Sequence, residues 1–385
     1  MISMPEAIAG TVERHSTGWS EVDRVLGGGL VSGSVVLLGG EPGVGKSTLL
    51  LQMAGGLASQ GRSVVIASAE ESAAQVAMRA DRLGIGTADV KLVADDDVDA
   101  IVAAAAEAKP AVLVIDSIQA VGVREIQSAP GGVAQVRESA ARLIRLAKTS
   151  GIVVVLVGHV TKEGGLAGPK ILEHMVDVVL YMEGDPDRGL RVLRSNKNRF
   201  GATHVSGMFD MQSDGLVEVD DPSKMFLDGW ETEVPGTIVY PAVEGRRSVL
   251  VEIQVLVAPS NQVQPRRSVR GLDQARVNQV VAVLQRHAGV PLADKEIYVN
   301  VVGGWRLDEP GCDLPIALAM VSSVTDRPLG RVAAWGEVGL AGEVRAVPYA
   351  TRRIEELRRM GLDRQIAPGG GEPMRLVDAI ARVGL

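Results

Sequence analysis

The stretch Gly39-Gly40-Glu41-Pro42-Gly43-Val44-Gly45-Lys46-Ser47-Thr48-Leu49-Leu50, residues 39–50, decides how the first half of this chain is read. From Gly40 through Gly45, Lys46 and Ser47 it keeps the spacing G-x-x-x-x-G-K-[ST]. The apolar run Val35-Val36-Leu37-Leu38 enters it as a buried strand would, and Thr48 through Ala54 leave it as a helix. Glycines at these positions let backbone N–H groups close around a polyphosphate at the positive end of a helix. The pattern therefore assigns Gly40, Glu41, Pro42, Gly43, Val44, Gly45, Lys46, Ser47 and Thr48 to ATP or GTP, with Lys46 on the β/γ-phosphates and Ser47 on Mg²⁺. The Lys46 stem is expected to face solvent while the loop is empty.

Outward from the loop, residues 17–215 alternate short apolar runs with amphipathic stretches, the signature of an α/β fold with a parallel-rich sheet. Strands are expected at 35–39, 63–68, 112–116, 152–158, 178–182 and 191–195, and helices at 46–59, 72–83, 96–108 and 133–149. Two long stretches, 119–132 and 160–171, follow strands without an element of their own. In open α/β sheets ligands are met beyond strand ends, so both are candidate functional loops, the alternative being ordinary surface connections.

The domains expected are an N-terminal extension at 1–16, the nucleotide-binding domain at 17–218, a linker at 219–232 and a second α/β domain at 233–385. In the last, Gly236–Val243 and Ser248–Val257 read as a hairpin. They are followed by a helix at 273–288, a strand at 296–302, a helix at 313–325, strands near 331–346 and helices at 349–360 and 374–383.

Composition narrows the classes. The 385 residues can build two cores, and 46% apolar with 23% charged residues is a globular balance. Aromatics are 3%, so the cores must rest on aliphatic side chains. No window of about 18 apolar residues lacks a charge, and the N-terminus has no basic-then-apolar leader, which points to the cytoplasm and away from membranes. The lone cysteine, Cys312, excludes an intrachain disulfide, and zinc is not expected. With a net charge of −7, nucleic acid could be held only by local basic patches.

A phosphate loop needs a carboxylate for its metal and a group to position the attacking water. Asp116 ends the apolar run Ala111–Ile115, where a charge is tolerated only at a site mouth, and is the metal candidate beside Ser47. Glu70 and Glu71 follow strand 63–68. Glu71 also suits a helix N-terminus, so Glu70 is preferred as the catalytic carboxylate. His159, after Val157-Gly158, is either structural or a sensor of the γ-phosphate. Arg188, Arg191, Arg194, Lys197 and Arg199 crowd one segment, as a solvated hairpin or as a cationic finger toward a neighbouring subunit's nucleotide.

These residues together resemble the bacterial RadA (Sms) DNA-repair ATPases, relatives of RecA. The resemblance runs over nearly the whole chain and rests on Thr17-Gly18 with Glu21–Leu30, on Ser128–Gly131 with Gln135–Glu138, on Gly158–Gly164, and on the motif KNRFG at Lys197–Gly201. It implies a RecA-like P-loop ATPase core that uses ATP and Mg²⁺. It further implies a homo-oligomer, a hexameric ring around single-stranded DNA, that extends branched recombination intermediates alongside the RecA recombinase. By the same resemblance the loops at 119–132 and 160–171 line the channel, with Arg124, Lys162 and Lys170 on DNA phosphates. Lys197 and Arg199 would couple ATP and DNA across the subunit interface.

The family usually carries a four-cysteine zinc module ahead of the ATPase, and no cysteine precedes Cys312 here; either the start is shortened, which is the expectation, or this member lacks the module. Residues 233–385 resemble the Lon protease domain, which uses a Ser–Lys dyad. Gly311 stands at the serine position and Thr351 at the lysine position, so proteolysis is not expected, and Cys312 lies one residue off. The domain then serves assembly and DNA binding, with Arg266, Arg267, Arg270 and Arg276 as a basic patch or as a solvated strip. Three functions stay open: a DNA-translocating motor, an ATP-gated recombinase mediator without motor activity, and an ATP-dependent protease.

Overall fold

Val35–Gly40 becomes β1, and all six of its residues are buried. The cause is two-sided cover. Val36 and Leu38 join a core with Leu49, Leu50, Met53 and Leu57 on one face of the sheet. Val35 and Leu37 join another with Leu143, Ala147 and Ile101 on the opposite face. A strand whose alternate residues both meet helices has no polar side to show, hence the unbroken apolar run.

The computed structural model describes residues 13–86, 88–159, 170–184, 189–203, 205–245, 247–262, 264–369 and 373–385. Lys162 and Arg188 lie outside these residues, as does most of the 1–16 extension and of the 160–171 loop. Contacts divide the chain into two compact units, Met1–Val219 and Asp220–Leu385.

The first unit is built on a nine-stranded sheet. After β1 come β2 (Val64–Ser68), β3 (Val90–Val93), β4 (Val112–Asp116), β5 (Val153–His159), β6 (Val178–Gly184), β7 (Leu190–Asn198), β8 (Ser206–Gln212) and β9 (Gly215–Glu218). Their spatial order is β9-β8-β7-β6-β1-β5-β4-β2-β3. From β6 to β3 every pairing is parallel, and β7, β8 and β9 extend the sheet antiparallel. The expected α/β class and parallel-rich sheet are present. Its helices are α1 (Ser20–Leu26), α2 (Lys46–Ser59), α3 (Ala73–Arg82), α4 (Val98–Ala108), α5 (Val133–Ser150) and the single turn α6 (Lys170–Glu173). The sequence reading did not anticipate β3, β8 and β9.

In the second unit α7 (Pro222–Phe226) opens the chain, followed by β10 (Thr237–Glu244), β11 (Arg247–Pro259), β12 (Arg267–Arg270), α8 (Gln274–Ala288) and β13 (Lys295–Val301). Then come α9 (Asp313–Thr325), β14 (Val332–Ala334), β15 (Glu337–Val338), β16 (Glu343–Arg345), α10 (Ala350–Arg359), β17 (Arg364–Ile366), β18 (Met374–Arg375) and α11 (Leu376–Arg382). Its six-stranded sheet runs β12-β13-β11-β10-β14-β17, and a smaller sheet β15-β16-β18. The helix α9 is buried from Asp313 to Ser322 and lies against β10 and β11. The 219–232 stretch, read as a linker, contains α7, whose Phe226 is buried and packs edge-on against Trp305. Its Ser223 hydroxyl also accepts the Leu250 N–H at 3.0 Å, so this stretch is structured within the second unit. Among the described residues no helix is long and apolar enough to cross a membrane.

Candidate functional site

Parallel neighbours bring the carboxyl ends of β1, β2, β4 and β5 to one edge of the sheet, and that edge collects the charged residues singled out in the sequence. The loop after β1 turns into α2 through Gly45, which sits at φ 114 and would direct a Cβ to within 2.6 Å of the Met211 methyl. Only glycine fills that position without strain.

Lys46 departs from expectation. It is 4% exposed, and its Nζ donates to the carbonyl oxygens of Gly40 at 3.0 Å and Glu41 at 2.9 Å. Its stem therefore lies inside the loop, where the loop's own carbonyls hold the ammonium. Burial pushes this ammonium below its ordinary value, while the carboxylates of Asp116 and Glu70 act in the opposite sense.

Asp116, at the tip of β4, faces the Ser47 hydroxyl within hydrogen-bonding reach. Burial raises its carboxyl above the ordinary range, and the Ser47 contact works the other way. Ser47 and Asp116 together offer hard oxygen donors of the kind Mg²⁺ takes alongside phosphate oxygens.

Glu70 and Glu71 separate cleanly. Glu71 pairs with Arg79 on α3, where Ser72 and Gln75 form a reciprocal cap. Glu70 instead accepts a hydrogen bond from the Ser117 hydroxyl at 2.5 Å and lies 3.6 Å from Nε2 of His159. Ser117 is fully buried directly after Asp116, and the sequence reading had not singled it out. The Gln119 side-chain amide donates to the His159 carbonyl at 3.2 Å, and among the described residues neither His159 Nδ1 nor Gln119 Oε1, both buried, has a partner. Unpartnered buried polar atoms at the mouth of a site suit a ligand rather than a closed core.

The loop 119–132 owes its shape to Gln135, which the sequence offered only as part of the Gln135–Glu138 motif and not as a loop anchor. Gln135, 4% exposed, accepts the Val123 N–H and donates to the carbonyls of Val123, Ile126 and Ser128. Arg124 projects from this loop with 77% of its side chain exposed and its Nε 2.8 Å from Asp97. Lys170, at the start of α6, is exposed.

The basic cluster on β7 is not one surface, because successive residues of a strand point to opposite faces. Arg191 is 5% exposed and donates its Nε to the Val44 carbonyl of the P-loop at 2.9 Å. Arg194 meets Glu183 at 3.0 Å. Lys197 donates to the carbonyls of Glu173 at 2.6 Å and Val176 at 2.8 Å, at the end of α6. Arg199 lies 3.1 Å from Asp177. That carboxylate, 4% exposed, also accepts the Val35 N–H at 3.0 Å and Lys148 at 2.7 Å. Burial opposes the Asp177 charge, but Lys148, the Val35 amide and Arg199 outweigh it and hold the carboxyl below its ordinary range. Within the chain, then, Lys197 and Arg199 grip residues 173–177 and, through Asp177, the start of β1. They do not form a free finger.

In the second unit Arg266 and Arg270 are exposed, while Arg267 donates to Asn278 at 3.1 Å. Arg276 leaves the expected basic patch altogether: it donates to both oxygens of buried Asp313, at 2.9 and 3.0 Å. Around Gly311 the space is filled. A Cβ there would stand 2.8 Å from the Tyr240 hydroxyl, and fully buried Arg353 pairs with Glu309 at 2.5 Å beside the same tyrosine. Thr351 is exposed on the first turn of α10. Cys312 is fully buried, its Sγ donates to the Glu309 carbonyl at 3.0 Å, and burial pushes the thiol far up. A thiol so placed is a poor nucleophile.

The AAA domain family (AAA_25) matches residues 9–165. The DNA repair protein RadA of Pseudomonas aeruginosa is 50% identical over 372 residues, covering 96% of this chain and 82% of that protein. That of Bacillus subtilis is 46% identical over 356 residues, covering 92% and 78%. The crystal structure of the RadB recombinase is similar at 22% identity and a TM-score of 0.43, over 54% of this chain and 100% of that one. With identity near one half sustained along almost its entire length, the chain belongs to the RadA family of DNA repair proteins.

Proposed function

We propose that this chain is a DNA-dependent ATPase of recombinational DNA repair that translocates on single-stranded DNA and drives branch migration of recombination intermediates. In this reading it acts in the cytoplasm as a homo-oligomer, a hexameric ring, alongside the RecA recombinase. The observation that carries the proposal is the convergence of Lys46, Ser47, Asp116, Glu70 and His159 on one edge of a parallel sheet, in a member of a DNA repair family.

The chemistry follows from the residues. Backbone N–H groups between Gly43 and Thr48 receive the phosphates of ATP, and Lys46 exchanges the Gly40 and Glu41 carbonyls for β/γ-phosphate oxygens. Ser47 and Asp116 would hold Mg²⁺, which would supply neutralisation of phosphate charge. Glu70, steadied by Ser117, orients the attacking water and takes up its proton. His159, one contact from Glu70, reports the γ-phosphate, and Gln119 links its backbone to the loop 119–132.

DNA is gripped by its phosphates through Arg124, Lys162 and Lys170, with Arg266, Arg267 and Arg270 as a second patch. Lys197 and Arg199 couple nucleotide and DNA by positioning residues 173–177. The second unit is a Lon-protease-like platform without proteolytic activity, which the filled space at Gly311 and the buried Cys312 thiol support.

The test is hydrolysis with and without single-stranded DNA, paired with single-turnover strand separation on forked substrates of both polarities. DNA-stimulated hydrolysis with separation is expected, weakening steeply with salt as counterions are released. Stimulated hydrolysis with no separation at either polarity would replace the motor with a recombinase mediator.

A further inference from the structure

The P-loop is supported from outside by a residue that the nucleotide does not need to touch. Arg191 lies on β7, two strands away from β1, in register with Gly184 on β6 and Phe209 on β8. Its Nε donates to the Val44 carbonyl at 2.9 Å, and a terminal nitrogen of the guanidinium donates to the Leu190 carbonyl at 3.0 Å. To reach Val44 the side chain passes over Gly184. A Cβ at that glycine would stand 2.4 Å from Arg191 Cδ and 3.1 Å from its Nε. The glycine on one strand is thus the opening through which the arginine of the next strand meets the loop.

The grip has a directional consequence. In a planar trans peptide the C=O and the following N–H point opposite ways. Drawing the Val44 carbonyl toward Arg191 therefore turns the Gly45 N–H away from Arg191. The methyls of Met211 and Met182 crowd Gly45, 2.6 and 3.3 Å from where its Cβ would stand, and limit its freedom to turn back.

We propose that Arg191 is a positioning residue of the nucleotide site, setting the Val44–Gly45 peptide plane so that the Gly45 N–H faces the bound phosphates before nucleotide arrives. The inference rests on the P-loop being the ATP site. It predicts an effect on ground-state binding, because the phosphate-binding amide serves substrate and transition state alike.

The experiment uses the full chain, ATP with Mg²⁺, equilibrium binding of a fluorescent ATP analogue and steady-state hydrolysis. Arg191→Gln should raise KM and the dissociation constant by about tenfold, the value of one well-placed hydrogen bond, with kcat changed by less than about threefold. Arg191→Lys should recover most of the loss. Gly184→Ala, by displacing the arginine, should copy Arg191→Gln, and the double variant should be less than about twofold worse than Arg191→Gln alone. Affinity within about twofold of the unsubstituted chain in Arg191→Gln, or multiplicative effects of the two substitutions, would overturn the proposal. Failure of the unsubstituted chain to bind the analogue would instead remove the ATP-site reading on which it rests.

Discussion

Substitution of Ser117 by alanine isolates the contact that holds the proposed catalytic carboxylate. The Ser117 hydroxyl is fully buried and donates to Glu70 at 2.5 Å, while 49% of the Glu70 side chain is exposed. A hydrogen bond to a charged acceptor contributes about 1.5–3 kcal/mol. The half-exposed acceptor, which water can partly satisfy, places this one near the lower end, about 1.5 kcal/mol. If that energy acts only when Glu70 must be aligned with the attacking water, it corresponds to roughly a tenfold loss of kcat. KM for ATP should stay within about twofold, because the lost interaction is made in the transition state and not in binding. Phosphate release at saturating DNA, with nucleotide affinity measured in parallel, gives both numbers. Ser117→Thr, which keeps the hydroxyl, should recover kcat to within about threefold, whereas Glu70→Gln should lose at least about 100-fold. A Ser117→Ala chain that turns over at the unsubstituted rate, or loses affinity at unchanged kcat, would refute the alignment argument.

Three further outcomes follow from other contacts. Lys197→Ala removes the donor to the Glu173 and Val176 carbonyls and should cut the DNA-stimulated part of hydrolysis by about tenfold with little change in ATP affinity; undiminished stimulation would leave Lys197 a structural role only. In the second unit, Arg359 meets Asp221 through two hydrogen bonds of 2.7 and 2.8 Å and holds its carboxyl at about 2, below its ordinary 3.8. A carboxyl depressed on folding stabilises while ionised, so this contribution is complete above about pH 4 and fades as pH falls through 2. Because 46% of the Arg359 side chain is exposed, screening limits the contribution to about 1 kcal/mol at pH 7. Asp221→Asn should therefore lower Tm at pH 7, with a gap about halved at pH 3; a gap that widens toward acid would contradict the sign. Cys312 should resist alkylation in the folded chain and react fully in denaturant, since it is fully buried and its thiol is pushed up; rapid native labelling would reopen thiol chemistry in this unit.

The parts of the fold that were readable in the sequence are those whose burial is continuous. Val35–Leu38, Val112–Ile115 and Val153–Val157 are covered on both faces and announce themselves as apolar runs. The strands β3, β12 and β17 lie at sheet edges, are partly exposed and carry Lys91, Arg267, Arg270 or Arg364, so their pattern resembles a loop. In β8, Gly207 interrupts the apolar alternation because the Glu21 carbonyl would stand 2.9 Å from a Cβ there.

At the site, Lys46, Ser47, Glu70, Asp116 and His159 could be named because each lies at a strand tip or in the loop itself. Their supports could not. Ser117 meets Glu70 across 47 positions and Arg191 meets Val44 across 147, and no local spacing encodes such pairs. The basic cluster misled for a related reason: counting charges along β7 ignores that alternate residues face opposite ways, which sends Arg191 under the P-loop and Arg194 to Glu183.

In the proposed function, ATP cleaved at Gly40–Ser47 moves DNA. The most direct measurement is the rate at which a preformed joint molecule of defined branch position is extended by the full chain with ATP and Mg²⁺, compared with Lys46→Ala. Directional extension that requires hydrolysis and stops in the variant is expected. Extension that proceeds equally in Lys46→Ala, or hydrolysis by the unsubstituted chain with no movement of the branch, would contradict it.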